Sequence, residues 1–238
     1  MEAIVLAGGL GTRLRPVITE VPKPMAPVAG RPFLDYILYY LKQQGISRVV
    51  LAVGYKWEVI RAYYNANSSF GLELDFSVEE EPLGTGGAIF QAADKITDER
   101  FFVINGDTSF NVSLNELAEF STVNSAEITL ALKTVDNAGR YGTVGITESG
   151  RIISFLEKGQ SGKPVSAING GVYLMEKALV GKFDLPAKFS FETDFLHGKL
   201  DQLKAYGKTF DASFIDIGIP EDYYRAQELF KDAIHEEI

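Results

Sequence analysis

The sequence predicts an α/β fold on an open, mostly parallel sheet. Apolar runs alternate with amphipathic stretches along the first hundred residues, the pattern of successive βαβ units. A glycine-rich turn, AGGLGTRL at residues 7–14, follows the first apolar run directly. With 238 residues, 46% of them hydrophobic, the chain can bury one sizeable core. No linker, low-complexity run or repeat divides it.

Taken in order, residues 3–6 form a buried apolar strand. Residues 32–44 read as a helix, with Pro32 at its start and Gly45 as its stop. Residues 48–53 are the second strand, 56–66 a helix, and 72–78 an alternating strand. A loop at 79–85 leads into a helix at 86–93. The short apolar run 101–104 ends at Asn105-Gly106-Asp107. The second half is richer in strands, at 128–133, 142–147, 151–157 and 167–175, with a Ser149-Gly150 turn. A helix at 193–203, a strand at 214–217 and a closing helix at 220–234 complete the reading.

Composition removes several functions. A net charge of −9 opposes nucleic-acid binding, which needs a basic face. The chain has no cysteine and two histidines, His197 and His235, so disulfide scaffolds, thiolate metal sites and His-rich metal sites are excluded. No apolar run approaches the ~20 residues of a membrane span. The N-terminus lacks the basic region of a signal peptide, so a cytoplasmic location is expected.

The first turn carries the clearest chemistry. Gly8, Gly9 and Gly11 let the backbone approach a ligand, and Arg13 and Lys23 add cations. Exposed N–H groups with nearby cations suit a polyphosphate. A P-loop would need Lys-Ser or Lys-Thr after the last glycine, where Thr12-Arg13 stands. A dinucleotide fingerprint would need glycine at Leu14. Asp107 and Asp216 each follow a strand, where ligands collect in open α/β sheets, and carboxylates there can hold Mg²⁺. Each also has a plain reading as a turn residue.

LAGGLGTRL and PKPM, followed by GTGGA, NGD, YG, LEK, NGG and DIG, resemble the sugar-1-phosphate nucleotidyltransferases, also called nucleotide-sugar pyrophosphorylases. The resemblance implies a Rossmann-like open mixed sheet flanked by helices, the GT-A-like nucleotidyltransferase fold, as one domain over residues 1–238. Its nucleotide-binding half would run to about residue 110, and its sugar-phosphate half from about 111. Arg13, Lys23 and Asp107 would be catalytic, and Asp107 with Asp216 would hold Mg²⁺. Leu6, Ala7, Gly8, Gly9, Gly11, Thr12, Arg13, Glu79, Glu80, Gly84, Thr85 and Asp107 would bind the nucleotide. Lys23, Tyr141, Gly142, Glu157, Lys158, Asn169 and Gly170 would bind the sugar phosphate.

The base follows from VEEEPLGTGG at residues 78–87. Guanine offers two adjacent donors, which a carboxylate matches; thymine and uracil favour an amide. Thymidylyltransferases of the family carry Gln where Glu79 aligns, so GTP is expected, with Glu79 preferred over Glu80 by alignment alone. KPMAP, RPFLDY, INGGVYL and KFSFETDF resemble the branch that forms GDP-heptose from a heptose 1-phosphate for bacterial surface polysaccharides such as lipopolysaccharide, capsule or S-layer glycan. Pyrophosphate would be the second product. Alternatives are a mannose-1-phosphate guanylyltransferase, a uridylyl- or thymidylyltransferase, and an inactive regulatory homologue. Joint presence of Arg13, Lys23, Asp107 and Asp216 weighs against the last. No nucleic-acid or membrane partner is expected, and whether the chain forms a homo-oligomer is left open.

Overall fold

The structure is a computed structural model that describes residues 1–9, 14, 18, 21–136, 141–156 and 165–234. Four parallel strands form one half of a nine-stranded sheet: β1 (Glu2–Leu6), β4 (Arg48–Val53), β5 (Glu73–Val78) and β6 (Arg100–Asn105), in the order β5-β4-β1-β6. Their residues alternate between two cores. Ala3, Val5, Val49 and Leu51 pack on one face, while Ile4, Val50 and Ala52 pack on the other. Burial on both faces is why β1, β4 and β6 read as unbroken apolar runs, whereas the partly exposed edge strand β5 alternates.

The helices follow from local signals. Pro32 caps α1 (Phe33–Gln43) from an extended conformation, and Gly45 closes it at φ +79°. With α2 (Trp57–Ala66), α4 (Leu114–Val123) and α5 (Pro220–Leu229), α1 covers the first core. The other face takes α3 (Gly84–Ala93), which begins two residues earlier than the sequence suggests. A Cβ on Gly86 would enter the Phe189 ring, so only glycine lets residues 187–191 lie against the start of α3. No described helix is long and apolar enough to cross a membrane.

The second half makes the sheet mixed. Strand β11 (Ser166–Glu176) runs antiparallel to β6 through residues 172–176 and meets β9 (Thr143–Ile146) at Ile168. Strand β10 (Ile152–Leu156) pairs with β9. On its other edge β11 pairs with β8 (Ile128–Val135), and β12 (Ala205–Phe210) adds in parallel. The register of β11 against β8 slips between Asn169 and Tyr173. This bulge holds Gly170 and Gly171, and Gly171 has φ +72°. A Cβ on Gly171 would lie 2.7 Å from Asn105 Nδ2, so glycine lets β11 turn past the end of β6.

Short strands β2 (Pro27–Val28) and β3 (Arg31–Pro32) form a ribbon before α1, and β7 (Thr108–Phe110) pairs with β13 (Phe214–Asp216). The expected helix at 193–203 is instead a π-helix at Phe191–His197 and a 3₁₀ turn at Leu200–Gln202. The Ser190 carbonyl accepts from both Asp194 and Phe195 N–H groups, and Gly198 N–H reaches the Thr193 carbonyl at 3.0 Å. The Ser190 hydroxyl caps Thr193 N–H, and the Asp194 carboxylate takes Ser190 N–H at 2.7 Å. These side-chain bonds fix a wide turn that stacks the buried Phe191 and Phe195 rings at 5.3 Å.

Candidate active site

The carboxyl ends of β1, β4, β5 and β6 open onto a cavity of about 850 Å³. Leu6, Gly8 and Gly9 from the first turn line it, as do Glu79, Glu80, Gly84 and Thr85. Ala7 lies beneath, buried, its N–H donating to the Ala52 carbonyl at 2.7 Å. Gly11, Thr12 and Arg13 fall outside the described residues. Glu79 is half-buried: Oε2 accepts from Leu83 N–H at 2.8 Å, and Oε1 lies beside Gly8. Burial is the larger influence on its carboxyl and raises its pKa above the usual value, against the lowering by Leu83 N–H.

A second cavity of about 570 Å³ adjoins the first and shares Asn105, Asp107 and Glu192 with it. Tyr141, Gly142 and Asn169 line it. Gly171 lines it too, whereas Gly170 packs against Phe110 and the Ala131 carbonyl. The amide expected from the NGG motif is therefore delivered by a bulge whose second glycine faces the cavity. Glu157 and Lys158 lie outside the described residues. Residues from both sides of position 110 line each cavity: Tyr173, Ser190 and Phe191 reach the first, and Asn105, Asp107 and Thr108 the second.

Between the cavities sits a compact charge cluster. Lys23 stands on a 3₁₀ turn at Lys23–Met25, fixed by Pro22 and Pro24. Its Nζ donates to Asp107 Oδ2 at 2.5 Å and stands 3.9 Å from Asp216 Oδ1. Pairing of β7 with β13 brings the two carboxylates together, aided by Ile217 N–H on the Asp107 carbonyl at 3.0 Å. Gly218 N–H fixes Asp216 Oδ1 at 2.7 Å. Two hard oxygen donors converging on one cation position suit a divalent ion that completes its shell with water and phosphate oxygens. Among the described residues no three His, Cys, Asp or Glu side chains form a metal group of their own.

Sequence reasoning did not single out Glu192, Thr193, His197 or Asp222 in the second cavity, or Tyr55 and Pro82 in the first. The unusual KFSFETDF segment was the available signal for the first two.

The family description Nucleotidyl transferase matches residues 2–233, and the chain belongs to this family. It is 51% identical, over 96% of its length and 97% of the relative's, to a D-glycero-alpha-D-manno-heptose 1-phosphate guanylyltransferase of Aneurinibacillus thermoaerophilus. To the enzyme of that name from Campylobacter jejuni it is 48% identical, over 94% of this chain and 97% of the other. Among solved structures, HddC from Yersinia pseudotuberculosis complexed with GMP-PN matches with a TM-score of 0.86 and 38% identity, covering 97% of this chain and 99% of that one.

Proposed function

We propose that the chain transfers GMP from GTP to D-glycero-α-D-manno-heptose 1-phosphate, giving GDP-heptose and pyrophosphate. The supporting observation is the pair of cavities meeting at Lys23, Asp107 and Asp216. One cavity takes the nucleotide and the other the sugar phosphate. A phosphate oxygen of the sugar attacks the α-phosphorus of GTP in line, and pyrophosphate leaves. No covalent enzyme intermediate is required, so catalysis consists of positioning and charge stabilisation. Asp107 and Asp216 would hold Mg²⁺, which supplies neutralisation of the phosphate charge. Arg13 and Lys23 add fixed positive charge, Lys23 also reaching the acceptor phosphate.

On the nucleotide side, Gly8 and Gly9 give the triphosphate backbone access, and Glu79 reads the guanine edge. On the acceptor side, Tyr141, Gly142, Glu157, Lys158 and Asn169 hold the sugar phosphate. The product would serve a bacterial surface polysaccharide in the cytoplasmic steps of its synthesis. The test is pyrophosphate release from a matrix of nucleoside triphosphates and sugar 1-phosphates. Maximal kcat/KM with GTP and the heptose phosphate is expected; a maximum with UTP or dTTP, or with mannose 1-phosphate, would replace the base or the sugar assignment.

A further inference from the structure

Glu192 stands where the two cavities meet and lines both. The segment that carries it is fastened to the nucleotide side. Phe191 N–H donates to Thr85 Oγ1 at 2.9 Å, and Gly86 N–H donates to the Phe189 carbonyl at 3.0 Å. Its carboxylate reaches the acceptor side, where Oε1 accepts from Asn169 Nδ2 at 2.9 Å and from the Tyr173 hydroxyl at 3.3 Å. Tyr173 is buried, and burial first, then the charge of Glu192, holds its phenol well above the usual range. It therefore stays protonated as a donor at any working pH.

These bonds alter what Asn169 can offer a substrate. Gly171 N–H donates to Asn169 Oδ1 at 3.0 Å, which sets the direction of the amide. The two hydrogens of Nδ2 then go to Glu192 and, at 2.7 Å, to the Tyr173 hydroxyl. An amide so engaged retains one acceptor lone pair. A carboxylate accepts about four hydrogen bonds, so Glu192 can take substrate hydroxyls while it holds Asn169 and Tyr173. The charged side chains that line this cavity among the described residues, Asp107, Asp216, Asp222 and Glu192, are all acidic. Carboxylate acceptors on this wall match the hydroxyl donors of a polyol.

We propose that Glu192 determines acceptor specificity by accepting hydroxyls of the sugar 1-phosphate at the wall between the two substrates. The proposal rests on the sugar-phosphate reading of this cavity. It is tested by steady-state kinetics of Glu192→Gln, with each substrate varied in turn, using the sugar 1-phosphate and analogues that each lack one hydroxyl. The KM for the sugar phosphate should rise ~10- to 100-fold, the cost of weakening a charge-assisted hydrogen bond. The KM for GTP should change less than about twofold, which also reports an intact fold. The analogue lacking the contacted hydroxyl should lose its penalty in the variant. Tyr173→Phe should raise the same KM by a smaller factor.

An unchanged sugar-phosphate KM would overturn the proposal, as would equal rises in both KM values, or identical analogue penalties in the two proteins. If the unaltered enzyme turns over no sugar 1-phosphate with GTP, the acceptor reading itself falls and takes Glu192 with it. Normal turnover with an indifferent Glu192→Gln removes the Glu192 role alone.

Discussion

Glu79→Gln should reverse the hydrogen-bond polarity of the base pocket. In the native side chain Oε2 takes Leu83 N–H at 2.8 Å, and Oε1 lies on the Gly8 side, 2.6 Å from where a Cβ on Gly8 would stand. Glutamine has a single acceptor atom. Leaving the Leu83 N–H without a partner would cost about 1–3 kcal/mol, so the amide oxygen stays with Leu83. The amide nitrogen then replaces Oε1 on the Gly8 side and points a donor where guanine presents donors. The loss is one charge-assisted hydrogen bond, about 1.5–3 kcal/mol, or roughly a 10- to 150-fold fall in kcat/KM for GTP. Activity with UTP and dTTP should fall less, because their edges tolerate an amide.

Pyrophosphate release with GTP, UTP, dTTP, CTP and ATP would measure the change. A GTP kcat/KM within about threefold of the unaltered enzyme would refute the reasoning; if Glu80→Gln lost it instead, the neighbouring carboxylate would be the reader. The pH dependence gives a second check. Burial, outweighing the Leu83 N–H, raises the Glu79 pKa above its ordinary 4.5. The charged acceptor is therefore lost at a higher pH than for an ordinary glutamate. Preference for GTP should fade as pH falls through that raised value, and Glu79→Gln should lack this transition.

Three further outcomes are expected. Asp107→Asn and Asp216→Asn should each lower kcat at least ~100-fold, and EDTA should abolish activity that Mg²⁺ restores; full turnover in EDTA would remove the metal role. Arg13→Ala should lower kcat more than it raises the KM for GTP, since on the proposed reading its charge would meet the leaving pyrophosphate; a pure KM effect would assign Arg13 to ground-state binding. Glu2→Gln should reduce stability at neutral pH by at most about 3 kcal/mol. Burial raises the Glu2 pKa, but Asp98 N–H, Arg48 and Thr97 together lower it from 4.5 to about 2. That stability is fully present above pH 4.5 and disappears as pH falls towards 2. Urea titrations between those values should show a slope that the variant lacks.

In the parallel half of the sheet, β1, β4 and β6 were legible because both their faces are buried and their sequences are continuously apolar, and the edge strand β5 was legible by its alternation. Leu6, Gly8, Gly9, Lys23 and Asp107, singled out because they sit on short motifs beside strand ends, all line the first cavity. Five of the elements described above were missed: the ribbon strands β2 and β3, strand β7, helix α4 and strand β12. Strand β7 is only three residues long. Helix α4 announced itself by Ser113 and Glu116, and the Ser113 hydroxyl does cap Glu116 N–H at 3.2 Å. Strand β12 adds to β8 across a long sequence separation, which no local pattern records. Nor could spacing foresee that Gly170 and Gly171 form a bulge, or that a π-helix would bring Glu192 to Asn169. Both depend on the slipped register of β11 and on side-chain bonds made only after the chain folds.

The sheet divides its charges by direction. At the amino ends of the parallel strands, Arg48 binds Glu2 at 2.5 Å, Glu73 at 3.0 Å and Asp75 at 3.1 Å, while Lys95 reaches Asp75 at 3.1 Å. Glu2 also takes the N–H groups of Thr97 and Asp98. Each of these acids has its partners within the protein, so the cluster ties β1, β4 and β5 to the turn before β6. At the carboxyl ends the balance is different. Lys23 stands between two carboxylates, and the second cavity adds Asp222 and Glu192. Asp222 also pairs with Arg225 at 3.5 Å, so this group of charges borders two cavities instead of tying strands together. Acid loss of the Glu2 network and loss of the Asp107 charge should accordingly separate in experiment: the first moves stability and spares kcat, and the second lowers kcat in a protein that remains folded.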